Sequence, residues 1–187
     1  MGENDEKAKP ILVMREHRTR WTETVAVQTK GGSDSYCVRA VVGMIRRVGV
    51  QRFLFKSDLE PAIIELKKQV ATRLAEHGVE AVMEVTPVDD HQANGTIERA
   101  VQTVAGMVRT HKLATELPYT REIGSDHPIM PWIIEHAAAM VTLFEVSADG
   151  RTAYERVRGK RWRQPLPAIG ECVFYLPIDR NRGKGGG

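Results

Sequence analysis

The feature that most constrains this chain is the order of its hydrophobic periods. From Pro10, the runs ILVMREH and WTETVAV have β-strand character, and the polar stretch His17 to Arg20 between them suits a hairpin. After the loop KGGSDS, Val38, Val41, Val42, Ile45 and Val48 recur at the helical period, and Gly49 closes it. Arg52 to Phe55 reads as a short strand that stops at Lys56, Ser57 and Asp58. Pro61 then opens a helix whose buried stripe is Ile63, Leu66, Val70 and Leu74 and whose stop is Gly78. Glu80 to Val85 is a further β-type segment. Beyond the loop TPVDDHQANG a long helix is predicted from about Thr96 to Lys112, with Ile97, Val101, Val104 and Val108 facing inward. Pro131 starts another, with Ile133, Ile134, Ala137, Val141 and Phe144 on its core face. A short helix follows the turn ADGRT, residues 160–170 read as irregular, and Glu171 to Leu176 is a candidate last strand. A hairpin followed by alternating helices and strands predicts an α/β layer fold with helices on both sheet faces.

The length of 187 residues suits one domain plus a tail. The expected boundaries are a frayed N-terminus over 1–9, a core over 10–147, a basic segment over 148–176 that ends at the start of a small β region, and a disordered tail over 177–187. Hydrophobic residues at 42% and charged residues at 27% match packed soluble domains and exclude a disordered chain. No apolar run approaches the roughly 20 residues that span a bilayer. The N-terminus MGENDEKAK is too polar for a secretory signal, so an intracellular protein with no membrane partner is expected. Cys37 and Cys172 have no companion at metal-ligand spacing and read as reduced thiols. None of the six histidines pairs with a cysteine at zinc spacing.

Two carboxylates stand where chemistry could be placed. Asp58 falls at the C-terminal end of a predicted strand, the edge where open α/β sheets hold ligands. Glu98 falls in the first turn of the predicted long helix, and the chain between them holds one helix, one strand and a loop. Converging carboxylates repel each other, and a divalent hard cation such as Mg²⁺ relieves that repulsion while keeping positions open for phosphate. The plain alternative is an Asp that caps a helix or forms a turn, and a Glu that complements a helix dipole.

The segments KSDLEPAI and VDDHQANGTIERAVQTV resemble the second and third acidic motifs of DDE integrases, especially those of copia-type retrotransposons. In the third motif Gln92, Asn94, Gly95, Glu98 and Arg99 stand in the family pattern. ADGRTAYERVRGKRW resembles the family's segment after the core helices, and GECVFY the start of its small β-rich region. The resemblance covers about residues 10–176. It implies the catalytic core of a retroviral or retrotransposon integrase, an RNase H-like mixed sheet with helices on both faces. It also implies DNA integration by metal-dependent strand transfer, with Asp58 and Glu98 ligating Mg²⁺ or Mn²⁺ and Gln92 and Asn94 shaping a loop that touches DNA. Element ends and target DNA are the implied partners, a homo-oligomer the implied assembly, and the nucleus or a cytoplasmic particle the implied location.

In that family the first Asp lies on a central strand ahead of the hairpin. Here only Met1 to Lys9 precede the hairpin, none of them reads as a strand, and Asp5 in ENDEK resembles the loop after that strand. The expectation is therefore a fragment with an acidic dyad, inactive alone, whose first central strand is missing. Each buried backbone group left unpaired on the flanking strands would cost about 1–3 kcal/mol.

The net charge of +3 is mild, but its distribution is uneven. On the long helix Glu98, Gln102, Ala105, Arg109 and Lys112 form one stripe, next to Arg99, which suits a phosphate backbone lying across the acid. Arg151, Arg156, Arg158, Lys160, Arg161 and Arg163 crowd around Trp162 against a single acid, Glu155, and form a second candidate DNA contact. Solvated helix faces carry the same residues. Three rivals stay open: a non-catalytic nucleic-acid-binding RNase H-like remnant, another RNase H-like nuclease that cuts RNA in a hybrid, and an unrelated α/β domain.

Overall fold

The computed structural model describes residues 10–27, 35–57, 60–85 and 91–174. Strands β1 (Ile11–Arg15) and β2 (Thr22–Ala26) pair antiparallel, with Leu12 opposite Val25 and Met14 opposite Glu23. The hairpin turn is closed from within: the Glu16 carboxylate accepts the Arg18 N–H at 2.9 Å, and Arg20 takes the left-handed φ of 64° while donating its N–H to the Glu16 carbonyl. This is the hairpin expected between residues 11 and 28.

Helix α1 (Ser35–Val48) buries Cys37, Val38, Val41, Met44 and Ile45. Strand β3 (Arg52–Ser57), helix α2 (Pro61–Ala75) and strand β4 (Glu80–Val85) form a β-α-β unit whose strands are parallel, from Arg52 opposite Glu80 to Ser57 opposite Val85. Pro61 sits in the first turn of α2, where its missing N–H costs nothing. Alternation along β3 sends Phe53 and Phe55 to the core that α1 and α2 share with Leu12 and Met14 of β1. The opposite face carries Leu54 between two ion pairs, Arg52–Glu80 at 3.3 Å and Lys56–Glu84 at 3.4 Å.

Helices α3 (His91–Tyr119), α4 (Met130–Phe144) and α5 (Ala153–Arg158) complete the described order. The β1–β2 hairpin lies between helices: Val25 and Val27 join the α1 cluster, while α4 packs on β2 and α3 on β1. The outer edge of β2 is closed by α4 through a side chain. The Thr22 N–H donates to Thr142 Oγ1 at 3.0 Å, and the Thr142 hydroxyl donates back to the Thr22 carbonyl at 2.7 Å. Thr24 adds a hydroxyl bond to the Ile134 carbonyl at 2.9 Å. At Thr22 the edge backbone is thereby satisfied by a side chain in place of another strand.

Several expectations need correction. The mixed α/β class stands; among the described residues its strands form two two-stranded sheets, β1–β2 and β3–β4, and no described strand joins them. Helix α3 is longer than Thr96 to Lys112, and its buried row is Ala100, Val104 and Thr115, whereas Val101 is 44% exposed. Ala100 and Val104 stand one turn apart, with Thr115 on the same face three turns on, in a helix that packs against α4 and β1, and the small Ala100 allows the close approach that a search for large apolar residues overlooks. On α4, Ala138 and Thr142 are buried and Phe144 is exposed. Glu171 to Phe174 are exposed and form no strand. Residues 1–9, the loop over 28–34, and 175–187 lie outside the described residues, so the proposed N-terminal fray and tail do too.

Candidate metal and nucleic-acid face

The carboxyl ends of β3 and β4 converge beside the buried side of α2. Ser57 ends β3, and the ammonium of Lys67, on the α2 stripe next to Leu66, reaches both strands. It donates to the Glu84 carbonyl at 2.8 Å and to Ser57 Oγ at 3.3 Å, and lies 5.3 Å from the centre of the Phe55 ring. Lys67 is only 4% exposed. No sequence signal marked it, because a lysine beside an apolar stripe reads as a solvated neighbour.

Asp58 follows Ser57 directly and lies outside the described residues. Glu98 is described and exposed, on the second or third turn of α3 and not the first, since the helix already begins at His91. This correction bears on chemistry: no acid stands in the first turn of α3, so Glu98 is not placed there to complement the helix dipole. Gln92 and Asn94 belong to the first turn of α3, and the surroundings of their side chains lie outside the description.

The expected basic stripe is borne along α3 as a surface. Gln102 and Arg109 are exposed on the same side as Glu98, Arg99 is exposed about a quarter-turn round from it, and Lys112 is half-buried and paired with Glu116 at 3.3 Å. Glu116 is held below the usual carboxylate range, chiefly by the Ile123 N–H and then by Lys112. Lys112 is therefore already engaged, and Arg99 and Arg109 are the cations this helix presents to solvent.

The second basic region is anchored differently from what its sequence suggests. A capping box between Thr152 and Glu155 starts α5. Tyr154 stacks near Trp21 at 6.4 Å between ring centres and meets Trp162 edge-on at 5.4 Å. Arg158 lies over the Trp21 ring at 5.7 Å, and Arg161 donates to the Glu155 carboxylate at 2.8 Å. Arg156 is tied to Asp149 and to the Thr19 carbonyl. Much of this charge fastens α5 to the hairpin, while Lys160 and Arg163 are exposed.

Where α3 meets α4, His111 and His136 face each other edge-on, 4.8 Å between ring centres. His111 Nε2 and His136 Nδ1 are buried and have no hydrogen-bond partner. Burial lowers both pKa values, and His136 adds to the lowering of His111. Because the folded state disfavours protonation, its stability is full above about 6.5, the ordinary histidine value, and is lost as pH falls through the lowered folded-state values. Urea titrations at pH 7.5 and pH 5.0 are expected to show the wild type weakened at the lower pH and the H111L/H136L chain much less so. Equal slopes in the two proteins would remove the histidine pair as the cause.

The donor chemistry at Glu98 fits magnesium: an exposed carboxylate offers hard oxygens. Among the described residues no group of three or more possible ligands comes together, so a metal here depends on Asp58 and on residues beyond those described. Cys37 is buried and Cys172 exposed, both as reduced cysteines. Among the described residues no helix is long and apolar enough to cross a membrane.

Taken together, these elements make a mixed α/β fold of the RNase H-like class, in the form found in retroviral integrase catalytic cores. The catalytic core domain of BIV integrase superposes with a TM-score of 0.54 at 16% identity, covering 79% of this chain and 84% of that one. The HTLV-2 integrase catalytic core domain, solved in complex with magnesium in a dimeric form, gives 0.52 at 11% identity over 80% and 84%. A chain of the simian T-cell lymphotropic virus intasome, solved in complex with PP2A regulatory subunit B56 gamma, gives 0.57 at 12% identity, covering 90% of this chain and 54% of that one. No family model matches the sequence. No curated protein matches it either.

Proposed function

We propose that this chain is an integrase catalytic-core domain of retrotransposon, copia-like type, which joins DNA ends to target DNA by metal-dependent strand transfer. The observation that carries the reading is Glu98: an exposed acid in the Asn94-Gly95-x-x-Glu98 motif, on a helix that also presents Arg99 and Arg109, in a fold shared with integrase cores. In this reading Asp58 and Glu98 hold Mg²⁺ or Mn²⁺. Such an ion would favour in-line displacement at phosphorus by stabilising the attacking and leaving oxygens. Arg99, Gln102 and Arg109 hold the DNA backbone beside the acid, Gln92 and Asn94 shape the entry to the helix, and Lys160 and Arg163 contact DNA further along. The domain works as a homo-oligomer inside the cell, in the nucleus or a cytoplasmic particle.

The test is joining of a labelled duplex end to target DNA, in Mn²⁺, by the wild type and by Glu98→Gln. Equal background in both removes the enzymatic reading. A second reading, a non-catalytic nucleic-acid-binding domain, is favoured by the exposed cations Arg99, Arg109, Lys160 and Arg163. It shares one expectation with the first: Arg109→Ala lowers the slope of log affinity against log salt by about one phosphate contact, uniformly across DNA sequences. Filter binding between low and moderate salt measures it, and an unchanged slope takes Arg109 out of the interface.

A further inference from the structure

Packed helices rarely strand a polar atom between them, because a buried nitrogen without a partner gives up its hydration for nothing. The contact of α3 with α4 strands two at one place. His111 of α3 and His136 of α4 meet with 4.8 Å between ring centres and 72° between ring planes. Nε2 of His111 and Nδ1 of His136 are buried and have no hydrogen-bond partner among the described residues. The rest of this contact is built of small and apolar side chains, Ala100 and Val104 on α3 and Ile133 and Ala137 on α4. A leucine at either histidine position would fill the space without stranding a nitrogen, so packing alone does not account for the pair.

The ring spacing agrees with two ligands on one ion. At a metal–nitrogen distance of about 2.0–2.1 Å and a tetrahedral angle, the centres of two imidazoles on a single ion lie about 5 Å apart. Burial favours the neutral rings, whose lone pairs bind metal. Both residues are only half-buried, so water reaches the pair and can fill the remaining positions of a coordination shell. Imidazole nitrogen suits Zn²⁺ and Cu²⁺, whereas Mg²⁺ prefers carboxylate oxygens.

We infer that His111 and His136 form a two-histidine site for a borderline divalent ion, Zn²⁺ or Cu²⁺, which clips α3 to α4 with water completing its shell. The site differs in ligands and in ion from the one proposed at Glu98, which lies about 20 Å further toward the start of α3. It therefore stands or falls independently of the strand-transfer reading.

The experiment is Zn²⁺ binding to the full chain, by calorimetry and thermal melting in a large excess of Mg²⁺. Wild type, His111→Leu, His136→Leu, Cys172→Ser and Glu98→Gln are compared. At a tenfold excess of Zn²⁺ over its Kd the wild type is expected to melt about 3–6 °C higher. Each leucine variant is expected to bind Zn²⁺ at least about 10–100-fold more weakly, the loss already seen when only a ligand's supporting partner is removed. Cys172→Ser, which removes an exposed thiol, and Glu98→Gln are expected to bind as the wild type does. A second measurement needs no variant: Cu²⁺ with ascorbate oxidises the side chains that hold the copper, and mass spectrometry of the wild type locates them. Oxidation is expected at His111 and His136, and it decides the matter if the leucine variants do not fold. Absence of Zn²⁺ binding overturns the inference, as does full affinity in a folded His111→Leu or His136→Leu chain. So does binding lost in Cys172→Ser, or oxidation confined to the exposed His17, His77 and His127.

Discussion

In an assembly that supports strand transfer, Glu98→Gln is expected to reduce the Mn²⁺-supported reaction about 10³-fold, the rate equivalent of the several kcal/mol that metal stabilisation of a phosphoryl transition state supplies. The substitution keeps the side chain's shape and removes its charge. Because Glu98 is exposed on α3, the change is expected to leave stability within about 0.5 kcal/mol of the wild type. Loss of activity without loss of stability separates a metal ligand from a surface acid that helps α3 form. Glu98 lies beyond the first turn of its helix, so a dipole contribution does not predict a stability loss either. A variant that joins DNA as well as its parent would leave Glu98 as a solvated residue and the fold as the sole likeness to integrases.

The second large effect belongs to the scaffold. Thr142→Val is expected to destabilise the domain by about 2–6 kcal/mol, because it strands two buried backbone groups that each cost about 1–3 kcal/mol unpaired. Thr22 is fully buried, and its N–H and carbonyl both bond the Thr142 hydroxyl at the outer edge of β2. Valine fills the same volume, so no cavity confuses the result. Against a typical domain stability of about 5–15 kcal/mol the loss is large. Thr110→Val is the control: its hydroxyl also bonds a backbone carbonyl, Gly106 at 3.1 Å, but on the exposed side of α3. Chemical denaturation of the two variants measures the difference, and equal losses would show that water or a shifted α4 replaces the Thr142 bonds.

The candidate face was partly legible beforehand. Glu98, Arg99 and Arg109 were found from a local motif and a helical stripe, and the helix exposes all three. Lys112 belongs to the same stripe, but its neighbour one turn on, Glu116, engages it. Arg158 and Arg161 were read as DNA contacts, yet Trp21 and Glu155 hold them in place. In each case the structure adds a competing partner that the local pattern does not show.

What the amino-acid order determined by itself is the kind and sequence of elements. Periods of two and of about 3.6 residues, Pro61 and Pro131 at helix starts, and Gly49 and Gly78 at stops are all set by neighbours a few positions apart. The same local reach marked Glu98. Tertiary structure decided which face of α3 is buried, why Ala100 matters more than Val101, and that a lysine belongs in the core beside Phe55. It also decided that Thr142 closes the edge of β2, a bond between residues 120 positions apart. Side chains in a helix or strand sense their own turn, whereas burial and edge closure depend on which distant element arrives, and no short-range period encodes that arrival.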